Sequence, residues 1–263
     1  MSGEVCIGTS GYTFPDWVGP FYPPGTPRGK MLDYYALHFG TVEINASYYG
    51  IPKPAVFQHM HQKTGDTFEF LVKVNREATH GRGDDGASMR ALYAAVEPLR
   101  EAGKLRGFVA QFPWSFRRTP ANTDYLRKLC EQSANAPLFV EFRHDSWLLD
   151  TTYEMLTALQ VGYVCVDEPR LRGLLPPQDT ATSSIGYVRL HGRNSAAWWD
   201  QTRGDRYDYL YNEAELQDWT NRILRLRSRT LKTYVFFNNC YQGQAVKNAR
   251  MLIEMLKRQL VLP

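Results

Sequence analysis

The chain has 263 residues, 43% hydrophobic and 22% charged, with a formal charge of +4. Those proportions exclude a disordered chain, and the length suits one barrel-sized domain spanning residues 1–263. No apolar run approaches the ~20 residues of a membrane span, and Met1-Ser2-Gly3-Glu4 has no signal-peptide pattern, so no membrane partner and a cytoplasmic location are expected.

Eight short, mostly continuous apolar runs read as strands buried on both faces. In chain order they are Val5–Thr9, Thr41–Ile44, Phe68–Lys73, Gly107–Gln111, Leu138–Phe142, Gly162–Val166, Gly186–Leu190 and Thr233–Phe237. Helical spacing falls between them, over Met31–Phe39, Ser88–Ala102, Asp124–Ala134, Thr152–Gln160, Glu213–Leu226 and Ala245–Leu260. Pro52 and Pro54 mark a further helix start, since proline suits a first turn. Tyr12–Arg28 and Pro169–Ser184 are rich in Pro and Gly, and read as long strand-to-helix loops.

Strand then helix, about eight times with right-handed crossovers, predicts an α/β fold, a single-domain (β/α)8 TIM-like barrel. An open doubly wound sheet would favour a glycine-rich phosphate turn after the first strand. Gly8-Thr9-Ser10-Gly11 is not that turn.

In such a barrel the working end is the carboxyl edge of the strands. Ser10, Glu43, Asn45, Lys73, Asn75, Gln111, Glu141, Arg143, His144, Asp167, Arg189, His191, Asn238 and Asn239 fall there. Strand alternation puts Glu141 with Arg143 on one face, Arg189 with His191, and Glu43 with Asn45. Any one of these reads equally as a buried ion pair plugging the barrel. The whole set is too costly to bury without mutual pairing or a ligand.

Each residue type suggests a role. Glu43, Glu141 or Asp167 suits a base, and His144 or His191 an acid or its partner. Lys73, Arg143 and Arg189 suit a phosphate or carboxylate. Ser10, Asn45, Asn238 and Asn239 suit substrate positioning. His80 suits a loop ligand, while His38, His59 and His61 read as structural. Trp147, Trp17, Tyr12, Tyr48, Tyr49, Trp198 and Trp199 lie in loops of the same rim, where flat rings stack sugars or bases or simply pack. Carboxylates with histidines are compatible with a divalent metal, although their spacing is not diagnostic. The basic cluster Arg222, Arg225, Arg227, Arg229 and Lys232 reads as a solvated helix face. The four cysteines have no CxxC pairing and read as free thiols.

Several motifs resemble the domain-of-unknown-function 72 (YecE-like) family. They are Ile7-Gly8-Thr9-Ser10-Gly11, Asp16-Trp17-Val18-Gly19-Pro20-Phe21-Tyr22-Pro23, Thr41-Val42-Glu43-Ile44-Asn45, Arg76 with Thr79-His80, and Gln111-Phe112-Pro113. Glu141-Phe142-Arg143-His144 with Ser146-Trp147, Val188-Arg189-Leu190-His191-Gly192, and Phe237-Asn238-Asn239 continue the match in order. Tyr12 stands where a Trp is usual, and Ser47-Tyr48-Tyr49 replaces a more typical Thr-Phe-Tyr. The resemblance implies a TIM-like barrel, similar in outline to xylose-isomerase-like and endonuclease-IV-like barrels, and no settled reaction.

The residues therefore support an enzyme, a hydrolase or acid–base catalyst, acting on a small anionic, phosphate-bearing substrate. A nucleic-acid-binding or repair-like protein is the alternative by fold analogy, and a non-catalytic ligand-binding protein is another. Nothing in the sequence fixes an oligomeric state.

Overall fold

The computed structural model describes residues 3–261, apart from 84, 134, 135, 201, 203 and 204. Ala134, the expected end of one helix, and the chain ends Met1-Ser2 and Leu262-Pro263 lie outside the described residues.

All eight expected strands form. They are β1 Glu4–Thr9, β2 Thr41–Ile44, β3 Glu69–Lys73, β4 Leu105–Gln111, β5 Leu138–Glu141, β6 Gly162–Asp167, β7 Ile185–Leu190 and β8 Lys232–Phe237. Every pairing is parallel, in the order β1-β8-β7-β6-β5-β4-β3-β2. The ring closes between β1 and β2 at their carboxyl ends, where Ser10 bridges Glu43 and the Gly11 N–H donates to the Glu43 carbonyl at 2.8 Å.

Below that bridge the two strands do not pair, and a tyrosine substitutes for the ladder. The Tyr35 hydroxyl accepts the Thr9 N–H at 3.0 Å and donates to the Thr41 carbonyl at 3.1 Å. Gly8 permits this approach, because a Cβ there would lie 2.3 Å from the Thr41 oxygen. A buried backbone donor without a partner is expensive, which explains a fully buried tyrosine hydroxyl at this seam.

The helices are α1 Met31–Tyr35, α2 Ala46–Tyr49, α3 Pro54–Gln62, α4 Ala87–Ala95, α5 Glu97–Glu101, α6 Pro120–Gln132, α7 Asp150–Ala158, α8 Glu213–Arg227 and α9 Gln244–Val261. Three departures from expectation have physical causes. The helix expected over Ser88–Ala102 divides at Val96, because Pro98 lacks an N–H and disfavours helix in the residues before it. The helix expected from Asp124 begins at Pro120, where Thr119 Oγ1 accepts the Asn122 N–H and proline fills the first turn. No helix follows Pro169–Ser184, so this loop joins β6 directly to β7.

Candidate functional site

The barrel mouth is built from the inward residues at the strand ends. Arg189, near the end of β7, is the centre. Its Nη1 lies 2.5 Å from Glu141 Oε2 on β5, and its Nη2 lies 2.6 Å from Glu43 Oε1 on β2. The Tyr187 hydroxyl, two residues earlier on the same inward face, donates to Glu43 Oε2 at 2.6 Å. Arg189 is 1% exposed and both glutamates are fully buried.

A second layer sits above this one. Arg143 Nε lies 2.5 Å from Glu141 Oε1, and its Nη1 donates to Glu168 Oε2 at 3.0 Å. Glu168 Oε1 accepts the Leu175 N–H at 3.0 Å, which ties the β6–β7 loop to the network. His191 lies 3.1 Å from Arg143 Nη2 through its Nε2. Its Nδ1 lies 2.9 Å from the Asn238 side-chain nitrogen, and its Nε2 lies 3.3 Å from Glu141 Oε1.

The network sets its own charge states. Burial opposes ionisation of Glu141, but Arg143 and Arg189 overcome this and hold its carboxyl well below the usual range. Burial, then the Arg143 charge, lowers His191 to about 3, so its imidazole is neutral. Burial lifts Glu168 to about 7 against the pull of Arg143. Burial, then the Arg189 charge, lowers the Lys73 amine to about 7.

Above the sealed layer lies a cavity of 490 Å³. Lys73, Arg76, Arg143 and Arg206 supply its cations, and His80 and Gln111 its neutral polar groups. Tyr48, Tyr49, Trp114, Trp198, Trp199 and Tyr207 supply flat walls. Among the described residues that line it there is no carboxylate. Lys73 Nζ donates to Gln111 Oε1 at 2.9 Å and sits 4.3 Å from the centre of the Tyr48 ring. Burial, then Lys73, lowers His80 to about 4, leaving that imidazole neutral too.

The expected site residues therefore divide. Lys73 and Arg143 line the cavity, while Glu43, Glu141, Arg189, His191 and Asn238 form or support the layer beneath it. Ser10 closes the barrel at the Glu43 bridge, and Asn45 precedes α2; neither lines the cavity.

Four others point elsewhere: strand alternation turns Asp167, His144 and Asn239 outward, and Trp147 lies in a short turn beyond β5. Asp167 forms a two-point ion pair with Arg193, at 2.8 and 3.0 Å, and Glu168 takes the inward position beside it. His144 Nδ1 accepts the Ser146 N–H and caps a short turn. Asn239 bonds the Tyr209 carbonyl and Asn248. Trp147 is fully buried, stacks on Phe142 and Phe116, and donates to the Phe116 carbonyl. Trp17 is likewise core, its indole donating to the Cys240 carbonyl.

Glu168, Tyr187, Trp114, Arg206 and Tyr207 were not marked by the sequence pattern. Glu168 follows the last expected residue of β6 by two positions, so a longer strand would have exposed it. The others sit within a strand or in loops.

Among the described residues, no group of three or more His, Cys, Asp or Glu side chains is arranged to hold a metal ion. Glu43, Glu141 and Glu168 each face an arginine instead. The expected basic face on α8 is partly paired with carboxylates. Arg222 pairs with Asp218 and Arg225 with Asp179, while Arg227 and Arg229 bond backbone carbonyls. Among the described residues, no helix is long and apolar enough to cross a membrane.

Residues 6–262 match the family described as protein of unknown function DUF72. The UPF0759 protein YunF of Bacillus subtilis is 32% identical over 270 residues, covering 96% of this chain and 94% of the relative. The crystal structure of a DUF72 family protein from Thermotoga maritima has a TM-score of 0.89 at 41% identity, over 97% of this chain and 99% of that one. A DUF72 family protein from Enterococcus faecalis has a TM-score of 0.85 at 26% identity, over 96% and 95%.

Proposed function

The chain belongs to the DUF72 family, and within that family we propose that it is an enzyme binding a small phosphate-bearing substrate at the barrel mouth and performing acid–base chemistry on it. One observation carries this reading: three arginines, one lysine and no described carboxylate line a 490 Å³ cavity with aromatic walls. Cations converging on a cavity with low-dielectric walls favour a phosphate. The rings suit a flat apolar or sugar portion attached to it.

The sealed glutamates are not the proton carriers in this reading. They fix the arginines, and Arg143 in turn presents its charge to the cavity. Lys73 faces the cavity and, with its amine lowered to about 7, is the lining group able to exchange a proton with a ligand near neutral pH; His80 stays neutral beside it. Hydrolysis would use Lys73 to activate water.

Melting temperature in the presence of inorganic phosphate, pyrophosphate, adenosine monophosphate and adenosine tests the binding. The phosphorylated compounds should stabilise the chain and adenosine should not. Arg206→Ala should reduce the shift. Equal stabilisation by adenosine, or none by any phosphate, refutes the reading. A single-stranded oligonucleotide forms a further arm, because the same cations and rings suit a phosphodiester. Tighter binding of the oligonucleotide than of every small phosphate would favour the nucleic-acid reading instead.

A further inference from the structure

Resting on that reading of the mouth, we infer that Lys73 is a covalent nucleophile, whose Nζ forms an imine with an aldehyde or ketone carbonyl of the phosphate-bearing substrate. Lys73 supplies the single amine among the described residues lining the cavity. The arginines around it do not act as nucleophiles, because guanidinium stays protonated. Its side chain extends from the end of β3, a rigid element, into the space where a ligand fits.

The surroundings favour a free amine. The nearby carboxylates Glu43 and Glu141 are taken up by Arg189 and Arg143. Among the described residues, Lys73 Nζ has no carboxylate within ion-pair distance; its hydrogen-bond partner is the neutral Gln111 amide. Arg143, just past β5, and Arg189 on β7 face it, with Glu43 on β2 and Glu141 on β5. Burial and the arginine charges outweigh the two carboxylates and hold the amine near 7 rather than 10.5. Nearby cations and desolvation are the conditions that keep a lysine neutral and nucleophilic.

The step balances as follows. Lys73 first loses a proton to solvent. Its lone pair then forms a C–N bond to the carbonyl carbon, the carbonyl π pair moves to oxygen, which takes a proton from water, and the hydroxide left behind takes one of the two protons on nitrogen. The amine proton and the hydroxyl then leave as water, giving the imine. The phosphate meanwhile rests on Arg76, Arg143 and Arg206.

Dihydroxyacetone phosphate with sodium cyanoborohydride, followed by peptide mass mapping of the intact chain, tests this. Reduction of an imine leaves a stable secondary amine. Lys73 should be modified about tenfold faster than the exposed Lys128 and Lys257, as expected of a lysine about half neutral at pH 7. Competitive acetylation with acetic anhydride across pH should place the Lys73 midpoint near 7, independently of phosphate binding. Lys73→Met should lose the selective modification.

Modification of Lys73 no faster than Lys128 and Lys257 overturns the inference. If pyrophosphate still stabilises the chain in that case, the imine falls and the anion site stands. If neither result appears, both fall.

Discussion

At the floor of the barrel one carboxylate, Glu69, meets Lys232 at 2.8 Å, Arg106 at 2.7 Å and the Tyr234 hydroxyl at 2.7 Å. At the mouth three glutamates share two arginines, and Lys73, Arg76 and Arg206 are added above them. The floor groove is the larger, 890 Å³ against 490 Å³. Yet Glu4, Asp66 and Glu69 line it together with Arg106, Arg227, Lys232 and Lys257. Both ends thus have plugged polar networks, and among the described residues only the mouth presents one sign of charge to an open space. Sign of charge, rather than volume, separates a stabilising plug from a ligand site.

The largest effect expected from this difference is at Arg189. Arg189→Met leaves Glu43 and Glu141 buried without their shared cation, and should cost about 3–5 kcal/mol in denaturant unfolding. A loss below about 1 kcal/mol would mean that the mouth layer is no more tightly coupled than a surface pair.

Gly8→Ala comes next. Its Cβ would meet the Thr41 carbonyl and push β1 from β2, at a cost of about 1–3 kcal/mol in the same assay. The Tyr35 hydroxyl would lose its bridging geometry.

Glu69→Ala should cost less, about 1–2 kcal/mol, because its partners can regain water. Lys232 and Arg106 already have side chains 24% and 43% exposed. A larger loss than Arg189→Met would reverse the ranking of the two ends.

The two ends should also respond to pH with opposite sign. Burial pushes the Glu69 carboxyl up, but Lys232 and Tyr234 overcome this and hold it below its usual value. Its stabilising contribution is therefore present above the unfolded value and is lost as pH falls through the folded one. Glu168 is raised from 4.5 to about 7, so the unfolded chain releases its proton first. Its contribution is full below 4.5 and is lost as pH rises through about 7. Unfolding curves from pH 4 to 8 should show this fall in the stability of the native chain relative to Glu168→Gln, because the lowered His191 and His80 add the same opposite slope to both. An unchanged slope in the variant would contradict the assignment.

The fold was legible because strands buried on both faces read as apolar runs, and each run from Val5–Thr9 to Thr233–Phe237 became a strand. The sealed layer was legible as well, since Glu141 with Arg143 and Arg189 with His191 share strand faces. What failed was parity at strand ends. Asp167 and His144 looked like site residues because they end apolar runs, but alternation turns them outward, and Glu168 takes the inward place. The cavity itself was only partly legible. Arg206 and Tyr207 reach it from a long loop, and loop residues carry no period from which a direction can be read. The absence of a crossover helix between β6 and β7 followed the same limit, since Pro169–Ser184 has loop composition whatever comes after it.

Calorimetric titration of pyrophosphate into the native chain, Arg206→Ala and the floor variant Arg106→Ala, at low and high salt, tests the central claim most directly. Binding should weaken with salt, weaken again in Arg206→Ala, and stay unchanged in Arg106→Ala. Equal weakening in both variants, or no binding to the native chain at low salt, would contradict a cationic ligand site at the mouth.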